Sequence, residues 1–328
     1  MKQRIVWMDW CKTISMLIVI HCHLPQDMTL PHFYGRYFIL STLFFMSGYL
    51  HKIQPDAKTA ARKYWKTLII PYLLMEVVFY PYWLVRAYFT DGLVITDLWE
   101  SLFRPFLLSL VGIPLNGVMY YMVILIICKV FTDIFLRGKY RLSIAVITSL
   151  ICIAIAYVVH YQQRIVFTYS IDHFFDNFQF FVMGYFARQW GFFEQEKGKA
   201  PRYFAYSMIF LAIGLIVCYF EKPIFLMQRI DYEIVSITGT FFLVNLCRCF
   251  YSIPNVVLTF SRGMIILFGI HWMFIGTANM LLPKLFGFPE PMKYTIFSAL
   301  VFSILIMAVC YFIIIFCQKH FKAILGGR

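Results

Sequence analysis

Runs of about twenty mostly apolar residues recur from one end of this chain to the other, with no soluble-looking block between them. About 20 such residues carry a helix across the hydrocarbon of a bilayer. Inside lipid the backbone must satisfy its own hydrogen bonds, which a helix does within one segment. On that template ten spans are expected, roughly at 5–24, 34–51, 67–89, 116–136, 142–160, 173–189, 203–220, 231–250, 261–282 and 294–317. The expected fold class is therefore all-α: a polytopic integral membrane protein of about ten transmembrane helices, forming a single domain over 1–328. Composition agrees, with 61% hydrophobic and only 14% charged residues. Soluble domains are roughly half apolar and a quarter charged. The stretch 102–114, LFRPFLLSLVGIP, is too short to span and is expected to be interfacial or re-entrant. Pro71 and Pro81 predict kinks in the third span.

The net charge of +13 does not call for nucleic acid as a partner, because helical membrane proteins gather Lys and Arg in cytoplasmic loops. The ends near 1–4, 52–66, 137–141, 188–202, 248–262 and 319–328 hold 19 Lys and Arg, and the alternate ends hold 8. That bias predicts both termini in the cytoplasm. The nine cysteines fall in or beside apolar segments, as small core residues do, and form neither a disulfide framework nor a metal-ligand spacing. Asp9 and Lys12 interrupt the first apolar run and no small-x-small site follows, so no cleavable signal peptide is expected.

The first span, MDWCKTISMLIVIHCHLP at 8–25, carries Asp9, Lys12, His21 and His23. At about 100° per residue, His23 lies roughly 20° from Lys12 on the helix wheel and Asp9 some 40° to the other side. His21 points about 180° away from Lys12. Asp9, Lys12 and His23 thus make one polar stripe, and intramembrane ionisable groups commonly face a bundle interior or a wet cavity. The alternative is an Asp9–Lys12 pair in the inner headgroup region with no further role. Because the rings of His21 and His23 point apart, they make no metal site.

Two further stretches stand out. LFFMSGYL, 43–50, puts Ser47 and Gly48 near a helix end, where small residues let backbones approach. AARKYWKTLIIPY, 60–72, puts Lys63 and Lys66 three apart on one helix face. It reads either as a topogenic anchor or as a clamp for a polyanion such as a nucleotide phosphate.

Together these stretches resemble the membrane acyltransferase-3 family, the bacterial O-acetyltransferases of surface polysaccharides. That family opens with an Asp, a basic residue three on, then a His after ten more; Asp9, Lys12 and His23 match. A Phe-Phe-x-x-Ser-Gly-Tyr-like signature follows, met by Phe44, Phe45, Ser47, Gly48 and Tyr49 with one residue fewer before the serine. Lys63, Lys66 and Pro71-Tyr72 match its basic-x-x-basic step before Leu-Ile-Pro-Tyr. NGVMYYMVILI (116–126), FQFFVMGYFAR (178–188) and GMIILFGIHWMF (263–274) continue the likeness in order. Lys replaces the family's usual Arg at 12, 63 and 66, and Met119 stands where Trp is usual.

The resemblance implies an acyltransferase of the cell inner membrane that moves an acetyl or other acyl group from cytoplasmic acetyl-CoA to a hydroxyl of a cell-surface glycan or its lipid-linked precursor. His23 would be the base that takes the acceptor proton, with Lys12 and Asp9 beside the acyl arm. Arg62, Lys63 and Lys66 would hold the coenzyme phosphates, with Ser47 on the donor side. Candidates for the acceptor side are Trp83, Arg86, Asp172, His173, Asp176 and the late-span His271. The competing class is a transporter or flippase for a lipid-linked or small polar substrate, which would be expected to show internal repeats and broken helix pairs. None is visible in the sequence.

Overall fold

A computed structural model describes residues 4–27, 29–89, 97–110, 115–159, 171–220, 225–288 and 292–326. The described residues form helices and no strand, apart from one isolated parallel bridge between Gln26 and Tyr294. In chain order the helices are α1 (Val6–His23), α2 (Leu30–Tyr49), α3 (Ala57–Tyr64), α4 (Ile70–Phe89), α5 (Arg104–Leu110), α6 (Tyr120–Phe135) and α7 (Arg141–Tyr157). They continue with α8 (Asp172–Gln189), α9 (Ala200–Tyr219), α10 (Phe225–Arg248), α11 (Asn255–Arg262), α12 (Met264–Phe286) and α13 (Ile296–His320).

Every one of the ten expected segments falls on a helix, but six stretches are long and apolar enough to cross a membrane among the described residues. These are 57–89, 117–135, 200–219, 229–248, 264–286 and 296–320. The expectation of ten therefore depends on α1, α2, α7 and α8. α7 is apolar but has only 17 residues. The other three carry charged or imidazole groups, and their surroundings explain why. α1 packs on α2, α10, α11, α12 and α13, while α2 packs on α1, α6, α8, α9 and α10. Both lie at the centre of the bundle, so their polar groups meet protein before lipid.

The approach of α2 to α8 is set by two glycines. A Cβ on Gly48 would stand 1.8 Å from the Phe181 carbonyl oxygen, and one on Gly184 would stand 2.0 Å from that of Phe45. Each glycine thus seats the other helix's backbone.

The loop after α2 is fastened to α6 by Asp133. Its carboxylate accepts from the Gln54 amide at 3.0 Å and the Tyr64 hydroxyl at 2.5 Å, and His51 Nε2 lies 3.2 Å away. Asp56 then caps α3, accepting from the Thr59 amide at 2.8 Å and the Thr59 hydroxyl at 2.7 Å. Those bonds hold the exposed Asp56 carboxyl below the usual carboxylate range.

A π-helical turn, Trp65–Ile69, joins α3 to α4. Pro71 cannot donate to the fourth carbonyl before it and its ring crowds that carbonyl, so a wider turn at this point relieves the clash. Pro81 sits inside α4. The stretch expected to be interfacial begins in a second π turn, Trp99–Phe103, and continues as the short α5. It lies along α4, whose Tyr72 and Tyr80 hydroxyls donate to the carbonyls of Ser109 (2.6 Å) and Leu102 (2.9 Å). The end of that stretch, 111–114, lies outside the described residues, as do Lys2, Arg164, Lys222 and Arg328 of the charge count. All nine cysteines are free thiols, most of them buried.

Candidate active site

The three members of the expected α1 stripe have different surroundings. Asp9 is buried and accepts two hydrogen bonds from Arg4, at 2.6 and 2.9 Å, and a third from the Ser261 hydroxyl of α11. It ties the start of α1 to α11 and lines neither the cavity of Lys12 nor that of His23.

Lys12, just under one turn further on, lines a cavity of about 120 Å³. Lys129 of α6, Arg262 at the end of α11 and Ser47 of α2 line it too, among apolar side chains such as Met46 and Leu68. Three cationic side chains around so small a space make it a site for an anionic or strongly polarised group. The Ser47 hydroxyl shares a 2.9 Å hydrogen bond with that of Tyr121.

His23, at the far end of α1, lines a second cavity of about 210 Å³ together with Arg36, Tyr120, Val118 and Cys22. Its Nδ1 lies 2.7 Å from the Val19 carbonyl. A carbonyl can only accept, so Nδ1 carries the proton and Nε2 carries the lone pair in the neutral ring. The ring is held between two α12 side chains, with centroids 5.2 Å from His271 and 5.2 Å, edge-on, from Trp272. A histidine whose Nδ1 donates to a carbonyl can accept a proton only at Nε2. His21 lines neither cavity; its ring lies 6.3 Å from that of His32.

His271 is fully buried, with Nδ1 2.9 Å from the Leu267 carbonyl and Nε2 without a hydrogen-bond partner. It packs against His23 and is not among the side chains that line that cavity.

The acceptor candidates of α8 approach the His23 cavity through one ring. His173 stacks on Tyr120 with centroids 4.3 Å apart and planes 22° apart, and Tyr120 lines the cavity. Asp176 Oδ2 lies 3.8 Å from His173 Nδ1, while Arg229 of α10 donates to Asp176 Oδ1 at 2.6 Å and also to Glu233, which accepts from Gln179 at 2.9 Å. Asp172 is buried nearby with Oδ1 unpartnered. Trp83 and Arg86 are on the second half of α4, Trp83 stacked on Tyr80 at 5.9 Å, and line neither cavity. Arg62, Lys63 and Lys66 are exposed on α3 and the π turn, and Leu68 of that turn reaches the Lys12 cavity.

Five further residues belong to the site, and sequence reasoning passed over them. Lys129 was detectable as an ionisable group inside an apolar segment. Arg36 and Arg262 were counted only as loop charges, although Arg36 is seven residues into α2 and Arg262 closes α11. Tyr120 lay within the 116–126 stretch noted for its family likeness but was not singled out there. Glu76, buried in α4, accepts from the Leu115 amide at 3.1 Å, while the Asn116 side chain donates to the Gly269 carbonyl at 2.5 Å. These two bonds anchor the turn that delivers Val118 and Tyr120 to the His23 cavity.

The family described as an acyltransferase domain matches residues 5–317, nearly the whole chain. The chain belongs to the acyltransferase-3 family. Both cavities of α1, the stacked His173 and the basic α3 lie inside that matched range. No curated protein and no solved structure matches the chain.

Proposed function

We propose that this membrane acyltransferase moves an acetyl group from acetyl-CoA to a hydroxyl of a cell-surface glycan or its lipid-linked precursor. The observation that carries the reading is the division of α1 between two cavities. Lys12 lies in a small cationic one, and His23 lies in a roomier one with its Nδ1 2.7 Å from the Val19 carbonyl.

The donor would approach from the end that bears α3, where Lys63 and Lys66 attract phosphate, and its thioester arm would enter past Leu68 and Lys12. The acceptor hydroxyl would enter the second cavity, where Arg36, Tyr120 and the stacked His173 suit a hydroxylated ring. His23 Nε2 takes the hydroxyl proton as the oxygen attacks the thioester carbonyl carbon. The new C–O bond forms, the C–S bond breaks, and the coenzyme leaves as a thiolate that the imidazolium can protonate. A nearby cation lowers the energy of the oxyanion that develops between these two events. In this reading the protein lies in the inner membrane with both termini cytoplasmic and ten helices crossing.

The test is transfer by purified protein in detergent, with radiolabelled acetyl-CoA and envelope glycolipid extract. Label reaching the glycolipid, lost in His23→Ala, is expected. Glycolipid that stays unlabelled, with the thioester intact, would return the chain to the transporter class.

A further inference from the structure

The two cavities have separate linings except for two side chains. Among the described residues Leu43 of α2 and Phe268 of α12 are common to both. Both are buried. The Phe268 ring packs 5.0 Å from Tyr121, which lines the Lys12 cavity, and 6.1 Å edge-on from His271, which backs His23. Leu43 is one turn before Ser47, and its carbonyl accepts from the Tyr121 hydroxyl at 3.3 Å. So Leu43 and the Phe268 ring are the two side chains that border both the cationic cavity and the histidine cavity among the described residues.

Lys12 and His23 share a face of α1 and are separated by about 16 Å of helix rise. An acyl group delivered beside Lys12 must therefore cross the wall between the cavities before a hydroxyl activated by His23 can attack it. We infer that Leu43 and Phe268 form a selective partition that admits a short acyl group, of acetyl size, from the donor cavity to the histidine cavity and excludes longer chains. For its substrate this rests on the acyl-transfer reading above; for its geometry it rests on the cavity walls alone. The physical basis is that side-chain rotation of a leucine and a phenyl ring opens a narrow path. Each extra methylene must then displace close-packed atoms, and a single methylene in an apolar pocket is commonly discriminated by about 10- to 200-fold.

The experiment uses two readouts on wild type, Leu43→Ala, Phe268→Ala and the milder Phe268→Leu. The first is transfer from acetyl-, propionyl- and butyryl-CoA. The second needs no activity: Cys22 lines the histidine cavity, so a small anionic methanethiosulfonate is added in vesicles from the face that carries Lys63 and Lys66. Modification of the Cys22 peptide is followed by mass spectrometry, with Cys22→Ser as the blank. Opening the wall should raise the butyryl-to-acetyl ratio about tenfold or more and speed Cys22 modification from that face. Unchanged Cys22 modification in folded variants overturns the partition. Faster modification with an unchanged acyl preference overturns its selective role. If wild type turns over no thioester but the variants still open Cys22, the wall stands and the donor reading falls instead. Should Phe268→Ala fail to fold, Leu43→Ala and Phe268→Leu carry both readouts.

Discussion

At the scale of single residues, two histidines two positions apart in one helix have opposite fates, and a helix wheel was enough to separate them. His23 reaches a cavity with Nδ1 held by Val19, while His21 lies against His32. His23→Ala is expected to lower transfer by about 10²- to 10⁴-fold, the usual contribution of a general base, with thermal stability in detergent nearly unchanged. His21→Ala should cost far less. If His21→Ala is the inactive variant, the base has been misassigned. The wheel did not separate Asp9 from Lys12, because both lie on the stripe and only tertiary neighbours distinguish them. Arg4 and Ser261 take up the Asp9 carboxylate. Asp9→Ala should therefore act on stability, by about 1–2 kcal/mol for lost charge-assisted hydrogen bonds. Donor affinity in the folded fraction should stay at the wild-type value. A folded Asp9→Ala protein with normal melting but no transfer would restore Asp9 to the chemistry.

At the scale of elements, two neighbouring helices are held together by what they lack. Gly48 of α2 and Gly184 of α8 each leave room for the other helix's carbonyl. The sequence marked Gly48 as a point of close approach but could not name its partner, since nothing local in α2 encodes a carbonyl contributed from far along the chain. Gly48→Ala or Gly184→Ala should cost about 1–3 kcal/mol through overpacking, read as a lowered melting temperature, whereas Gly138→Ala, in open space, should not. The basic α3 makes a contrasting case. Its capping by Asp56 and its anchorage through Asp133 fix where Lys63 and Lys66 project, yet both remain exposed. Charges so placed act through solvent, so each Lys→Ala should weaken acetyl-CoA binding only by about 1.5- to 5-fold. The loss should fade further in high salt. Titration of donor binding at two ionic strengths checks both points. A loss that persists in high salt would mean a desolvated contact that forms only with the coenzyme bound.

At the scale of the whole molecule, hydropathy made the helices legible and packing decided what they do. Ten apolar segments were readable because lipid tolerates little else, but α1, α2 and α8 fall below the apolarity of the outer helices because they are surrounded by protein. The cavities were not legible at all. Each is assembled from helices far apart in sequence, such as α1, α2, α6 and α12 around Lys12, and only tertiary structure brings Lys129 and Arg262 to it. The ends of the bundle are legible in both ways. Arg4 meets Asp9 near Ser261, and the 3₁₀ turn Lys322–Leu325 after α13 packs against the start of α4, where a Cβ on Gly326 would lie 3.0 Å from the Thr67 carbonyl. Arg4, the Lys322–Leu325 turn and α3 thus lie at one end of the molecule. Pro25, Asp27, Lys293 and Tyr294 meet at the other, with Tyr294 donating to the Pro25 carbonyl at 2.7 Å. The surplus of Lys and Arg belongs to the first end, which is the end expected in the cytoplasm on the positive-inside rule. Single cysteines in place of Lys58 and Lys322 should accordingly resist an impermeant maleimide added to intact cells and react once the membrane is opened. A cysteine at Lys293 should react without opening. Labelling of the Lys58 position from outside would place α3 on the wrong face for a cytoplasmic donor, and with it the direction of acyl transfer from the Lys12 cavity to His23.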